Sequence, residues 1–256
     1  MNDLDLAAPL SLSLPELLSL RRWNTPTIYN GLEQYTQADR RTLVNLEDLT
    51  DFTPEAGPMV GYALTLVVEP SKPEHSQRNP EAWKQFFRYV ASIDGPKVIV
   101  CQDLDKPLTY GACFGEVNCS SLRAFGCVGV IVDGAVRDLD EIRYAGLKVL
   151  ARRLAVSHCY GCPVSWGQPV EVFGVTVQPG QLVHADKHGF VAVPPGEEAR
   201  LPHAARFMDQ NECDTLIAAA RYTHAGPQET AEALCAAADQ FGAAAQREFG
   251  RSGEWK

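Results

Sequence analysis

The sequence contains no run of the roughly 18–20 apolar residues that a membrane-crossing helix requires. It has no basic excess either. Lys and Arg number 23 against 32 Asp and Glu, for a formal net charge of −9. That balance argues against a sequence-independent nucleic-acid binder, which must neutralise phosphates with a basic face. A small anionic substrate remains compatible, because one arginine and one metal ion can reverse the local field. The first residues place two acids, Asp3 and Asp5, before any base, unlike the charged start of an export signal. No internal repeat is visible, and the only biased tract is an Ala-rich stretch near the C-terminus.

What is present is ordinary for a globular chain. Of 256 residues, 45% are hydrophobic and 21% charged, enough to bury a real core. Six of the eight cysteines fall between Cys101 and Cys162. Without an export signal they are expected to be reduced thiols in a cytoplasmic protein. Cys159-Tyr-Gly-Cys162 has the spacing of a redox or zinc pair but lacks a second pair, so structural thiols are the better reading.

Ser13-Leu-Pro-Glu16 predicts a capping box ahead of a short helix. Thr25-Pro26 opens a second helix through Leu32. Met59 to Val68 predicts a strand, His75 to Pro80 a polar loop, and Pro80-Glu81 the start of a helix carrying Trp83, Phe86, Phe87 and Val90. Those aromatics read as helix-packing residues. Lys97 to Cys101, Cys127 to Val132 and Lys148 to Leu154 read as strands, with helices over Glu116 to Phe125 and Asp138 to Tyr144. From Gln168 to Val193, short β segments separated by Gly and Pro predict tight antiparallel turns. Beyond Pro195 the chain reads as helix, Ala204 to Tyr222 and Pro227 to about Phe249. The expected organisation is a catalytic domain over 1–200 with a helical extension over 201–256.

The most informative run is Gly111-Ala112-Cys113-Phe114-Gly115-Glu116, followed twenty residues later by Arg137-Asp138. Two carboxylates and a guanidinium at strand ends are what metal-assisted chemistry on an oxo acid requires. Read alone, Asp138 is equally an ordinary helix-start cap with Arg137 on the surface. Two further signatures accompany the run: Gly129-Val-Ile-Val-Asp-Gly-Ala-Val-Arg-Asp138, and Gly174-Val-Thr-Val-Gln-Pro-Gly180 with His184-Ala-Asp186-Lys-His-Gly189 after it. Ser157-His158 could reach a pocket, although a lone histidine is more often structural. His184 and Asp186 could serve to fix a turn. Asp103 and Asp105 read as solvated loop acids. No lysine stands out as a Schiff-base former.

On these signatures, Gly111 to Pro194 resembles the RraA-like family, which includes 4-hydroxy-4-methyl-2-oxoglutarate and 4-carboxy-4-hydroxy-2-oxoadipate aldolases and protein regulators of ribonuclease E. The resemblance implies an α/β fold, a swivelling β/β/α sandwich, here with extra N- and C-terminal helices. It implies a Mg²⁺ or Mn²⁺ ion held directly by Asp138, with Glu116 holding its waters. Arg137 would pair with a 2-oxo acid substrate, and peptide N–H groups from Gly111 to Gly115 would receive the substrate carboxylate. The family's first acid is often Asp; Glu116 is one methylene longer.

The resemblance also implies a homotrimer or homohexamer, with no nucleic-acid or membrane partner. The expected activity is retro-aldol cleavage releasing pyruvate, oxaloacetate decarboxylation, or both, since both pass through the pyruvate enolate. The alternative is a non-catalytic regulator that binds a ribonuclease. In such relatives the Asp after the Arg is replaced, whereas Asp138 is intact. A methyltransferase reading finds no support, because no Gly-rich nucleotide loop follows the first strand.

Overall fold

The computed structural model describes residues 11–222 and 226–251. The acidic start at Asp3 and Asp5 lies outside the described residues. The chain divides into two compact units, 1–25 with 38–198, and 26–37 with 199–256.

The larger unit begins with helix α1, Leu14–Leu20. Its capping box forms: the Glu16 carboxylate accepts from the Ser13 N–H at 2.7 Å and from the Ser13 hydroxyl at 2.6 Å. Strands β1 (Thr50–Asp51) and β2 (Met59–Val68) follow. Helix α3 spans Pro73–Arg78 and helix α4 Ala82–Ala91, helix α2 (Thr25–Leu32) having come before β1. Next come β3 (Lys97–Asp103), β4 (Ala112–Phe114), helix α5 (Glu116–Ala124) and β5 (Cys127–Val136). Helix α6 (Leu139–Ala145), β6 (Lys148–Leu154) and β7 (Pro163–Trp166) complete the α/β part. Two hairpins close the unit: β8 (Val170–Val172) with β9 (Val175–Val177), and β10 (Leu182–Asp186) with β11 (Gly189–Ala192).

Nine strands form one sheet in the order β1-β6-β5-β3-β2-β10-β11, with β4 beside β5 and β7 beside β2. The central four strands, β2, β3, β5 and β6, run parallel. Parallel strands are covered on both faces, which explains their unbroken apolar runs. On β2 the alternation of a strand sends Leu64, Leu66 and Val68 to one face and Ala63 to the other. The first face packs Phe86 and Val90 of α4, Cys119 and Leu122 of α5, and Ile142 of α6. The second face packs the β8–β9 hairpin together with Phe173 and Phe190. This mixed sheet, helical on one side and β-covered on the other, is the swivelling β/β/α arrangement expected from the sequence.

One secondary-structure expectation fails over most of its length. Residues 75–78 of the expected loop are helical, because α3 runs from Pro73 to Arg78. The segment has no apolar stripe, so periodicity is silent there. Pro73 starts the first turn, and the His75 ring meets Glu69 at 2.6 Å. Two strands are also longer than their sequence signal: β3 extends to Asp103 and β5 to Val136.

The smaller unit holds most of α2, together with α7 (Leu201–Glu212), a π-helical turn (Cys213–Ile217), α8 (Ala218–Arg221) and α9 (Pro227–Phe249). Gly31 of α2 lies so close to α7 that a Cβ there would meet the Ala205 backbone nitrogen at 2.6 Å. Asn211 donates to the Phe241 carbonyl at 3.0 Å, and Phe207 packs edge-on to Phe249.

Candidate active site

The site lies in the larger unit, where β5 ends and α5 begins. β4 runs beside the end of β5, and the Arg137 N–H donates to the Phe114 carbonyl at 3.0 Å. That pairing brings Gly115 and Glu116 next to Arg137 and Asp138, although 22 residues separate Glu116 from Asp138.

Asp138 precedes α6 and adopts the left-handed conformation, φ 57° and ψ 48°. Asp tolerates this region better than most residues, and such conformations cluster at functional sites. A helix-start Asp ordinarily caps its own helix. Asp138 makes no side-chain cap to α6. Its Oδ2 instead accepts from the Glu116 N–H of α5 at 3.1 Å and stands 3.4 Å from Arg137 Nε. Gly115 makes this possible: a Cβ there would run into Asp138 Oδ2 and lie 3.1 Å from Arg137 Cγ and Nε. The ordinary cap reading of Asp138 therefore does not describe this carboxylate.

A cleft of about 240 Å³ opens over these groups, lined by Trp83, Ala112, Cys113, Gly115, Glu116, Val117, Asn118, Arg137, Asp138, His158 and Gly161. Arg137 is the one permanent cation among the described residues lining it. Its Nη1 donates to the Val156 carbonyl at 3.3 Å. Asn118 Nδ2 donates to the Cys113 carbonyl at 2.7 Å. Burial pushes the Cys113 thiol far above its usual range, with Asp103 adding to the effect, so this thiol stays protonated and does not act as a nucleophile.

The structure brings together Glu116, Arg137, Asp138, Ala112, Cys113 and Gly115, and separates two expected residues from them. The Phe114 ring is buried in the core, edge-on to Trp83. Gly111 underlies the 157–161 loop, where a Cβ would meet the His158 carbonyl oxygen at 2.6 Å. The Ala112 N–H donates to the Ser157 carbonyl at 2.9 Å, so it is not free for a substrate carboxylate. Trp83, Asn118 and Gly161 carry no local signal that predicts a place in the cleft; α4, α5 and the β6–β7 loop converge there only once folded.

A metal ion fits on one condition. Among the described residues no group of three or more His, Cys, Asp or Glu is gathered to hold an ion. The cleft offers two carboxylates, Asp138 and Glu116. Mg²⁺ and similar hard cations take oxygen ligands and retain several waters, so one or two carboxylates suffice for them but not for a closed zinc cage.

The other candidates resolve structurally. His184 is buried, with Nδ1 2.9 Å from the Thr25 hydroxyl and Nε2 3.2 Å from the Leu20 carbonyl. Burial lowers its pKa to about 4. Asp186 accepts from the Thr25 N–H and from the N–H and ring of His188. Together they tie the chain before α2 to the β10–β11 hairpin. Asp103 is not solvated: it is buried, and desolvation lifts it to about 7. Asp105 receives the Ser71 N–H and hydroxyl. Each cysteine is a free thiol, Cys159 and Cys162 included. Among the described residues no helix is long and apolar enough to cross a membrane.

Fold and site define a β/β/α sandwich with a cleft lined by Glu116, Arg137 and Asp138. Residues 25–192 match the RraA-like family, Aldolase/RraA, and the chain belongs to that family. A 72-residue stretch, 27% of this chain, is 38% identical to 43% of the 4-hydroxy-4-methyl-2-oxoglutarate aldolase of Thermus thermophilus. The chain spans less than half the length of the curated relatives it matches, 43–47%. Among solved structures it is similar to RraAS2 of Streptomyces coelicolor, an unusual member of the RNase ES inhibitor RraA family, with a TM-score of 0.63 at 23% identity over 79% of this chain and 95% of that one. It is also similar to an uncharacterised protein of Pseudomonas syringae, with a TM-score of 0.67 at 21% identity over 88% and 95%. These two likenesses speak to the fold.

Proposed function

We propose that the protein is a divalent-metal-dependent lyase acting on 2-oxo acids. The observation that carries this reading is the Asp138 carboxylate, turned away from its own helix into an open cleft beside Arg137 and Glu116. Asp138 would hold Mg²⁺ or Mn²⁺ directly, with Glu116 binding the ion's waters. When bound, such an ion polarises the keto group of a 2-oxo acid and acidifies water. Arg137 orients the substrate through its carboxylate or keto oxygen and stabilises the negative charge that develops there as the C–C bond breaks. Trp83 and Val117 add apolar surface to the lining of the cleft.

The reaction is retro-aldol cleavage of a 4-hydroxy-2-oxo diacid to pyruvate, oxaloacetate decarboxylation, or both. The name of the T. thermophilus relative supports the aldolase half of this reading. Assembly into a homotrimer or homohexamer is part of the proposal. It is supported by apolar residues left exposed at the site's rim, Val117 at 75% and Val156 at 94%, and sedimentation will measure it.

The decisive assay is pyruvate release from oxaloacetate and from a 4-hydroxy-2-oxo diacid, with Mg²⁺ or Mn²⁺ and with EDTA. Metal-dependent turnover lost in Asp138→Ala is the expected result. Tight binding of a ribonuclease without turnover of any oxo acid would establish the regulator instead.

A further inference from the structure

We propose that His158 is a catalytic residue of this cleft, the group that carries the proton between the two ends of the cleaved bond. This rests on the lyase reading above.

His158, an exposed residue of the β6–β7 loop, lines the cleft together with Arg137 and Asp138 from the end of β5. Its Nδ1 lies 2.8 Å from the Cys159 carbonyl oxygen. A carbonyl only accepts, so Nδ1 carries the proton and Nε2 presents a lone pair. The loop holding the ring is built to hold it. The Ser157 carbonyl accepts from the Ala112 N–H at 2.9 Å, the Ser157 hydroxyl accepts from the Cys159 N–H at 2.9 Å, and the His158 carbonyl accepts from the Gly161 N–H at 2.9 Å. Cys159 sits at φ 46°, a conformation costly for a non-glycine residue and maintained only where the surroundings enforce it. Two close approaches fix the loop against β4. A Cβ on Gly111 would strike the His158 carbonyl, and one on Gly161 would lie 2.6 Å from Cys113 Sγ. This network fixes the loop backbone that carries His158 before substrate arrives.

The remaining cleft-lining groups do not supply this function. Arg137 stays protonated. The Cys113 thiol is held protonated by burial. Asn118 and Trp83 do not titrate. Glu116 and Asp138 belong to the ion. The titratable and charged groups facing His158 are thus Glu116, Arg137, Asp138, Cys113 and Cys159, and among the described residues no hydrogen bond or ion pair joins His158 to either carboxylate. Histidine is the side-chain type suited to exchanging protons near neutral pH.

In the retro-aldol step Nε2 takes the proton of the substrate's 4-hydroxyl. The freed oxygen pair forms the product carbonyl as the C3–C4 bond breaks. The C3–C4 pair moves into the pyruvate enolate, whose oxygen faces Arg137. The same proton then passes from Nε2 to C3, leaving pyruvate and neutral imidazole. Oxaloacetate decarboxylation breaks its bond by losing CO₂ and removes no hydroxyl proton, but its enolate still takes a proton at C3.

The test is His158→Asn, whose amide can still donate to the Cys159 carbonyl but has nothing at the Nε2 position. Retro-aldol kcat/KM should fall by about 10²-fold or more. The urea-unfolding midpoint should match the parent's, which shows that the variant folds. Exchange of the pyruvate methyl protons with deuterium, followed by NMR, should slow in parallel with the retro-aldol step. Retro-aldol kcat/KM within about threefold of the parent, or methyl exchange at the parent's rate, would overturn the role of His158 while leaving the lyase reading intact. A parent protein inactive on every 2-oxo acid would overturn the lyase reading and this inference with it.

Discussion

Two Arg–Asp pairs, one between β5 and β6 and one just past the end of β5, do opposite things. Asp133 on β5 is fully buried. It accepts from Arg152 Nε of β6, from Lys106 Nζ at 2.9 Å and from the Phe173 N–H at 2.9 Å. Arg152 also pairs with Glu47 and lies 5.0 Å over the Phe173 ring. Every strong donor around that carboxylate is engaged. Asp138, five residues on, is 37% exposed, and its partner Arg137 is 35% exposed at 3.4 Å. Only Oδ2 is engaged, and by a weak set of contacts. A saturated buried pair holds strands together, because breaking it strands a charge out of water. An open, incompletely satisfied pair is free to take a ligand. Residue type does not distinguish them; satisfaction does.

Four measurements sharpen or break that contrast. The largest effect should come from Asp133→Ala, which leaves Arg152 and Lys106 partly buried without their shared anion. About 3–5 kcal/mol of stability should be lost in urea unfolding. A loss below 1 kcal/mol would remove Asp133 from the structural side. Asp138→Ala should show the reverse profile. Metal-dependent lyase activity should fall by at least about 10²–10³-fold, with a stability change near 0.5 kcal/mol.

The third measurement concerns His184, the other buried polar group fully engaged by its neighbours. Its folded pKa, about 4, lies below the ordinary 6.5 because burial disfavours the charged ring. The unfolded chain therefore takes up this proton first. Stability is full above pH 6.5 and declines as pH falls from 6.5 toward 4. The decline amounts to roughly 3 kcal/mol for this group alone. Unfolding midpoints across that range should flatten in His184→Gln; an unchanged slope would mean that other groups control it. The smallest effect is expected from Gly115→Ala. Its Cβ displaces the Asp138 carboxylate, so kcat/KM should drop roughly 10- to 100-fold through misplacement, with about 1 kcal/mol of stability lost.

Much of the fold was legible because its signals are local. A run of strand-forming apolar residues ended by Pro70 marks β2, the capping box at Ser13 and Glu16 marks α1, and Pro227 with an Ala-rich run marks α9. The spacing from Glu116 to Arg137-Asp138 and the glycines around it were legible too, because a strand–helix–strand repeat has a nearly fixed length. The α3 helix was not, since six polar residues carry no periodic stripe. Asp103 was misleading for a related reason: nothing local separates a buried acid from a solvated one, and this one reads as a loop acid.

The sequence by itself determined the order of elements, the two-sided burial of the central strands, the family and the residue types at the cleft. Each of these depends on neighbours a few residues away, within reach of backbone periodicity and side-chain chemistry. Tertiary structure alone decided that Asp138 reaches across to α5, that His158 joins the same cleft from another loop, and that Arg152 rather than Arg137 pairs with a buried carboxylate. Those outcomes depend on which strand lies beside which, and pairing is set by the packing of the whole sheet.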